Sequence, residues 1–295
     1  METIRRQLAA RLEGRVVESS WGFASPKFVT ASDATGHRLG ELRRRGKYLL
    51  VDLHRAGGCR DREHGDDGEH GDDGEHGADR ELVVHLGMTG RLAVLHGTDQ
   101  PPGNLTGRLG SELRPEHLRA RFDLDDGHYL GFWDLRRFGR AVVVEPGDHS
   151  GLPTLANLGP EPFSPEFSPE RLRAGLSGRK ALKTSLMDQR LVAGVGNIYA
   201  DEALWLSGIR PTARRLGPAR AEALHRAVVE VLSGAIGNGG TTLRDYRDAS
   251  GAEGSNQHQL RCYGRAGQEC LRCGRPLAHT VLDGRGTTWC TNCQH

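Results

Sequence analysis

No run of 18 apolar residues occurs in this 295-residue chain, which excludes a membrane-spanning helix on length alone. The opening METIRRQLAARL lacks the apolar core of a secretory leader, so a cytoplasmic protein with no membrane partner is expected. Lysine is scarce: only Lys27, Lys47, Lys180 and Lys183 occur, and each can be weighed singly. Net charge is also small, +2, which on its face argues against a polyanionic partner. The balance is local in origin, because residues 55–80 hold nine Asp and Glu against four Arg, leaving +7 on the rest. A basic surplus of that size suits a polyanion.

The length accommodates two domains and a small appendage. Residues 2–13 place Ile4, Leu8 and Leu12 on one face of an amphipathic helix. Alternating segments then predict strands at 15–18, 27–30, 47–53, 81–86, 91–95, 120–124, 129–132 and 141–144, separated by turn residues, as in an antiparallel β-sandwich or barrel. The hexad repeat EHGDDG EHGDDG EHGADR at 63–80 has no apolar face to bury, so 55–80 is expected to be a disordered acidic insert. Its His64, His70 and His76 offer weak divalent-metal binding as the alternative. A Pro-, Gly- and Ser-rich stretch near 150–165 marks a boundary, after which helical spacing dominates to about residue 250.

Two spacing patterns carry chemistry. Cys270-x2-Cys273 and Cys290-x2-Cys293 form the pattern of a zinc ribbon spanning 258–295, and four thiolates leave no open coordination position, so the metal is structural. In KTSLMDQRLVAGVGNIYADEALWLSGIRP, residues 183–211, apolar Leu186, Met187, Leu191 and Val192 fall at helical spacing before Gly194-Val-Gly-Asn197 interrupts. Amides of such a turn, and the helix N-terminus after it, can face an anion. An ordinary helix-glycine-helix connection has the same pattern.

Taken with ETIRRQL at 2–8, RGKYLLVDL at 45–53, HLGMTGRL at 85–92, DLRRFG at 134–139, LGPEP at 158–162, GGTTLRDY at 239–246 and YGRAGQEC at 263–270, these patterns resemble the formamidopyrimidine-DNA glycosylase and endonuclease VIII family. The resemblance implies an α+β multi-domain protein: an N-terminal antiparallel β-sandwich at 1–150, a helix-two-turn-helix domain at 151–250 and the zinc ribbon, with duplex DNA in the cleft between domains. It implies a monomer with one structural Zn2+ that removes oxidised bases of the formamidopyrimidine or 8-oxoguanine type and cleaves the strand at the abasic site. A base in a duplex must be flipped out to be reached, and something must fill the gap. By resemblance, Met88, Arg136 and Phe138 are that plug; without it, two hairpin-tip residues and a core Phe would be the reading. Asn197 and the Gly194–Gly196 amides grip phosphate, with His117, Arg179 and Tyr263 as further DNA contacts. Arg285 of DGRGTTWC enters the lesion site, and Lys47 assists strand cleavage. Base preference is expected in pocket loops such as 248–260. Leu135 departs from the proline that usually precedes the two arginines.

The family's nucleophile is an N-terminal proline followed by glutamate, in a start reading P-E-x-P-E-V-E-T after Met removal; the amine forms a Schiff base with the sugar. This sequence begins M-E-T-I-R-R-Q-L, so Met1 stands at the family's valine, and Glu2 matches the later glutamate rather than the catalytic one. The expectation is a valine codon taken as the initiator, with the true start about six residues upstream. The alternatives are a protein that binds lesions or abasic sites without catalysis and, in another class, a zinc-ribbon RNA-binding or scaffold protein.

Overall fold

The computed structural model describes residues 1–56, 77–97, 113–176, 178–243 and 247–295. The hexad repeat, apart from its last four residues, lies outside them, and with it the three histidines and the expected disorder. The chain forms two compact units: Met1–Arg44, Tyr48–Asp148 and Arg247–Ala252 in the first, and Arg45–Lys47, His149–Tyr246 and Glu253–His295 in the second.

In the first unit, helix α1 (Glu2–Leu12) buries Ile4, Leu8 and Leu12, the face read from their spacing. Strands β1 (Val17–Gly22), β2 (His37–Arg45), β3 (Tyr48–Arg55), β4 (Arg80–His85), β5 (Arg91–His96), β6 (Leu118–Leu124), β7 (His128–Trp133) and β8 (Arg140–Val144) make two four-stranded sheets. Their orders are β1-β6-β7-β5 and β2-β3-β4-β8, and the pairs β1–β6, β6–β7, β5–β7, β3–β4 and β4–β8 are antiparallel. Tyr48 to Val51 and Leu82 to Val84 are buried without alternation, as in interior strands with both faces covered. Phe28 and Phe132 meet in the core with ring centroids 5.7 Å apart.

Two expectations fail here. Residues 27–30 form no strand: Phe28 is sealed in the core, and Val29–Ala34 is a 3-10 helix packed where Gly22 leaves room for the Phe28 carbonyl. Conversely, His37–Arg45 is a strand although its buried leucines, Leu39 and Leu42, are three apart and so break the two-residue alternation.

The second unit carries α2 (Pro153–Ala156), α3 (Pro169–Gly175), α4 (Leu182–Met187), α5 (Asn197–Leu206), α6 (Pro218–Gly237) and the hairpin β9 (Ala278–Leu282) and β10 (Arg285–Trp289). Ser168 caps α3 by accepting the Arg171 N–H, with Pro169 at its first position. Leu186, Val192, Leu204, Ile209, Leu224 and Val228 belong to one apolar cluster. The helix expected to run on through Leu191 and Val192 stops at Met187; both residues are buried from a turn instead. Gly194 in that turn has φ 84°, the left-handed region that favours glycine. Among the described residues no helix is long and apolar enough to cross a membrane.

Candidate nucleic-acid interface and metal centre

The expected site residues fall into two groups, one in each unit. Met88, His117, Arg136 and Phe138 belong to the first unit; Lys47, Arg179, Asn197, Tyr263, Arg285 and the four cysteines belong to the second.

In the first unit, Met88 lies on the β4–β5 turn and is 51 % exposed, while Phe138 lies on the β7–β8 connection and is 55 % exposed. Phe138 is therefore not a core residue. The two turns are fastened together. Buried Asp134 accepts the Thr89 hydroxyl on Oδ1 and the Gly139 N–H on Oδ2, and Thr89 Oγ1 in turn accepts the Arg136 N–H. A Cβ on Gly87 would stand 2.6 Å from Gly139 N, so the two loops touch backbone to backbone. Lys27 Nζ donates to Arg137 O at 2.9 Å, and Arg137 has φ 58°. The Lys27 and Arg136 cations lie 5.9 and 5.8 Å from the Phe138 ring centroid. His117 closes the 3-10 turn Pro115–His117, and its carbonyl accepts the Asp134 N–H at 2.8 Å, which adds it to the same cluster. The first unit thus presents two exposed apolar side chains, Met88 and Phe138, on a braced pair of turns, with the Lys27 and Arg136 cations beside the Phe138 ring.

Glu2, at the start of α1, is no proton donor at neutral pH. Burial would raise its carboxyl, but hydrogen bonds from Arg5, Arg6 and Arg44 hold it down at about 2.

In the second unit, Lys47 is half-buried and its Nζ donates to Val195 O at 3.2 Å, so the amine sits against the glycine turn. A Cβ at Gly196 would stand 3.3 Å from that Nζ. Burial, and then the Arg285 charge, bring the Lys47 ammonium down to about 8. An amine so poised can hold or release a proton near neutrality.

The Gly194 amide, expected to face an anion, instead donates to Gln189 Oε1 at 2.9 Å, because the turn needs that bond to close on itself. Asn197 opens α5, and its Nδ2 donates to Gly286 O at 3.2 Å. Lys183 Nζ donates to the same carbonyl and to Thr287 Oγ1, both at 2.8 Å, and pairs with Asp201, whose carboxylate accepts the Thr288 N–H at 3.0 Å. Arg285 is exposed at the start of β10, directly after a tight turn whose Asp283 and Gly284 both have positive φ, 46° and 72°. The buried pair thus fixes the strand whose first residue is Arg285.

Tyr263 is set by α5 as well: Glu202 accepts the N–H groups of Arg261, Cys262 and Tyr263 at 2.9, 2.8 and 2.7 Å. Arg179 lines a separate basic cavity with Arg171, Lys180 and Arg190. Neither Asp201 nor Glu202 emerged from the sequence as a site residue, and the signal was there: two acids inside the apolar run IYADEALWL.

The four cysteine sulfurs lie within 4.8 Å of one another, and Cys270 and Cys290 are buried. Tetrahedral metal–thiolate bonds of about 2.3 Å place sulfurs roughly 3.8 Å apart, so the donor set fits one metal ion. Gln294 steadies the second pair by accepting the Cys290 N–H and donating to Ile209 O. The cluster is a candidate site for one bound metal ion.

Known proteins share this assembly throughout. Residues 1–141 match the formamidopyrimidine-DNA glycosylase N-terminal domain, 158–247 the H2TH domain of the same glycosylase, and 267–295 a zinc finger found in FPG and IleRS. The formamidopyrimidine-DNA glycosylases of Deinococcus radiodurans and Parasynechococcus marenigrum are 38 % and 39 % identical to the whole of this chain, which covers 95 % and 98 % of theirs. The crystal structure of the Thermus thermophilus MutM (FPG) protein superposes with a TM-score of 0.80 at 38 % identity, over 99 % of this chain and 96 % of that one. The Lactococcus lactis Fpg complex with abasic-site DNA gives 0.78 at 30 % identity, over 100 % and 97 %. With the β-sandwich, the helical glycine turn and the thiolate ribbon all matched over the full length, the chain belongs to the formamidopyrimidine-DNA glycosylase family, the DNA glycosylases and abasic-site lyases of base-excision repair.

Proposed function

We propose that this base-excision repair DNA glycosylase acts on duplexes bearing formamidopyrimidine or 8-oxoguanine-type bases and then cleaves the strand at the abasic site, with zinc as its structural metal and the cytoplasm as its compartment. The observation that carries the reading is the Lys47 amine held against the Val195 carbonyl of the glycine turn, poised near neutrality with Arg285 acting on it. Lactococcus lactis relatives have been solved with Fapy-dG DNA and with abasic-site DNA, and the same two classes are proposed here as partners.

In this reading Met88, Arg136 and Phe138 occupy the space that the flipped base leaves. His117, Arg179, Asn197 and Tyr263 contact backbone and fix register without reading sequence. Arg285 meets the lesion site, and Lys47 exchanges a proton during strand cleavage. Cys270, Cys273, Cys290 and Cys293 hold Zn2+, which supplies a rigid fold for the ribbon.

The test is borohydride trapping and strand cleavage on a panel of lesion duplexes, run on residues 1–295 and on an extended chain to whose N-terminus the family's start M-P-E-x-P-E has been added, with metal content measured on both. Trapping and cleavage by the extended chain on oxidised-purine and abasic duplexes, with one zinc per chain, supports the reading. Failure of both chains on every duplex overturns the enzymatic part, and affinity for intact duplex equal to that for lesion duplex overturns the recognition part.

A further inference from the structure

The LGPEP segment, residues 158–162, has no part in the chemistry or the DNA grip described above, yet it converges on the turn that bears Lys47. Glu161 Oε1 accepts the Gly46 N–H at 2.6 Å and Arg45 Nη1 at 3.2 Å, and Arg45 Nη2 donates to Leu158 O at 3.0 Å. Gly46 has φ 57°, a conformation that L side chains rarely adopt, and the Leu158 side chain stands 3.1 Å from where its Cβ would be. A single carboxylate oxygen therefore fixes one conformation at a position that glycine leaves free to adopt many.

The same segment reaches the other side of the amine. Gly159 N–H donates to Gln189 O at 2.8 Å, and Ala193 N–H donates to Pro160 O at 2.9 Å. The Gln189 side chain accepts the Gly194 N–H at 2.9 Å and donates to Val195 O at 2.8 Å, the carbonyl that also receives Lys47 Nζ. Residues 158–161 thus fasten both the donor and the acceptor of the Lys47–Val195 hydrogen bond. Arg285 is the charged group that acts on Lys47, and the Glu161 charge is engaged by Arg45.

We propose that Glu161 is the positioning residue for the Lys47 amine: it fixes the Gly46 turn so that the amine stays desolvated against Val195 in place of swinging into solvent. The geometry stands on its own; its importance for strand cleavage rests on the reading of Lys47 given above.

Scarcity of lysine makes the test direct. Trace acylation across a pH series, followed by peptide mass analysis, reads all four lysines in one experiment on the intact, metal-loaded chain. Exposed Lys180 serves as the solvent reference, and buried Lys183 as the reporter of folding. In the unmodified protein Lys47 is expected to label with a midpoint of about 8. In Glu161→Ala the midpoint should rise by at least about one pH unit toward the ordinary lysine value, with Lys183 still protected. Glu161→Gln, which keeps an acceptor for Gly46 N–H, should lie nearer the unmodified protein. A Lys47 profile identical in all three proteins overturns the proposal, as does a shift seen only when Lys183 loses protection. In the chain extended with the family's Pro-Glu start, Glu161→Ala should slow single-turnover cleavage of abasic duplex about tenfold and leave affinity for a tetrahydrofuran-site duplex within about threefold. Absence of cleavage by the unsubstituted extended chain would count against the enzymatic reading and leave the labelling result to decide the role of Glu161.

Discussion

Lys183 and Asp201 form an ion pair sealed from solvent at both ends, Nζ to Oδ1 2.7 Å, with side chains 1 % and 0 % exposed. Removing one partner strands the other charge in the interior, so Lys183→Ala or Asp201→Ala should each cost about 3–5 kcal/mol. Lys183→Met with Asp201→Leu should recover most of that loss, while the β9–β10 hairpin, without its donors to Gly286 and Thr287, becomes more mobile. Denaturant titration of the metal-loaded chain, with hydrogen exchange over 278–289, checks both. Single variants as stable as the parent would contradict the pair's role.

Glu2 predicts a pH dependence of the first unit. Its folded value of about 2 lies below the ordinary glutamate value of 4.5, so its stabilisation is complete above roughly pH 4.5 and is lost as the pH falls toward 2. Glu2→Gln should therefore lower stability near neutrality by about 1–2 kcal/mol, allowing for partial solvent screening, and should match the parent at pH 2. Thermal unfolding of both proteins across that range would show the gap closing.

The braced turns proposed as the wedge should separate binding from folding. Met88→Ala and Phe138→Ala remove exposed side chains and should shift stability by less than about 0.5 kcal/mol while weakening lesion-duplex binding. Thr89→Ala leaves a buried Asp134 oxygen without its donor and should cost about 1–3 kcal/mol. Paired melting and gel-shift measurements would reveal whether the two effects stay apart; a destabilised Met88→Ala would refute the division.

Lys47 predicts the basic limb of strand cleavage. If its ammonium donates a proton, the rate in the extended chain should fall as pH rises through about 8, and Lys47→Arg, which stays charged throughout, should lose that limb. A rate–pH profile of the two proteins decides it.

The parts legible from sequence are those whose geometry is local. The cysteine pairs set their own turns, and the α1 stripe declares its buried face. What stayed hidden depends on partners far along the chain. Nothing near Asp201 announces Lys183 or Thr288, and nothing in LGPEP announces the Gly46 amide 115 residues earlier. Strand β2 was obscured because its leucine spacing imitates a helix, and the sheet, through β3, overrides it. The glycine turn was found, but not that Gln189 would claim its first amide.

The three amides gathered on Glu202 make the Tyr263 turn an anion receptor whose occupant is part of the protein. Those three N–H groups are already taken by the Glu202 carboxylate and are not left for an external phosphate. Glu202→Gln would weaken that internal anion, so its effect should be mimicked by no change in salt concentration, unlike the loss of any contact made to DNA directly.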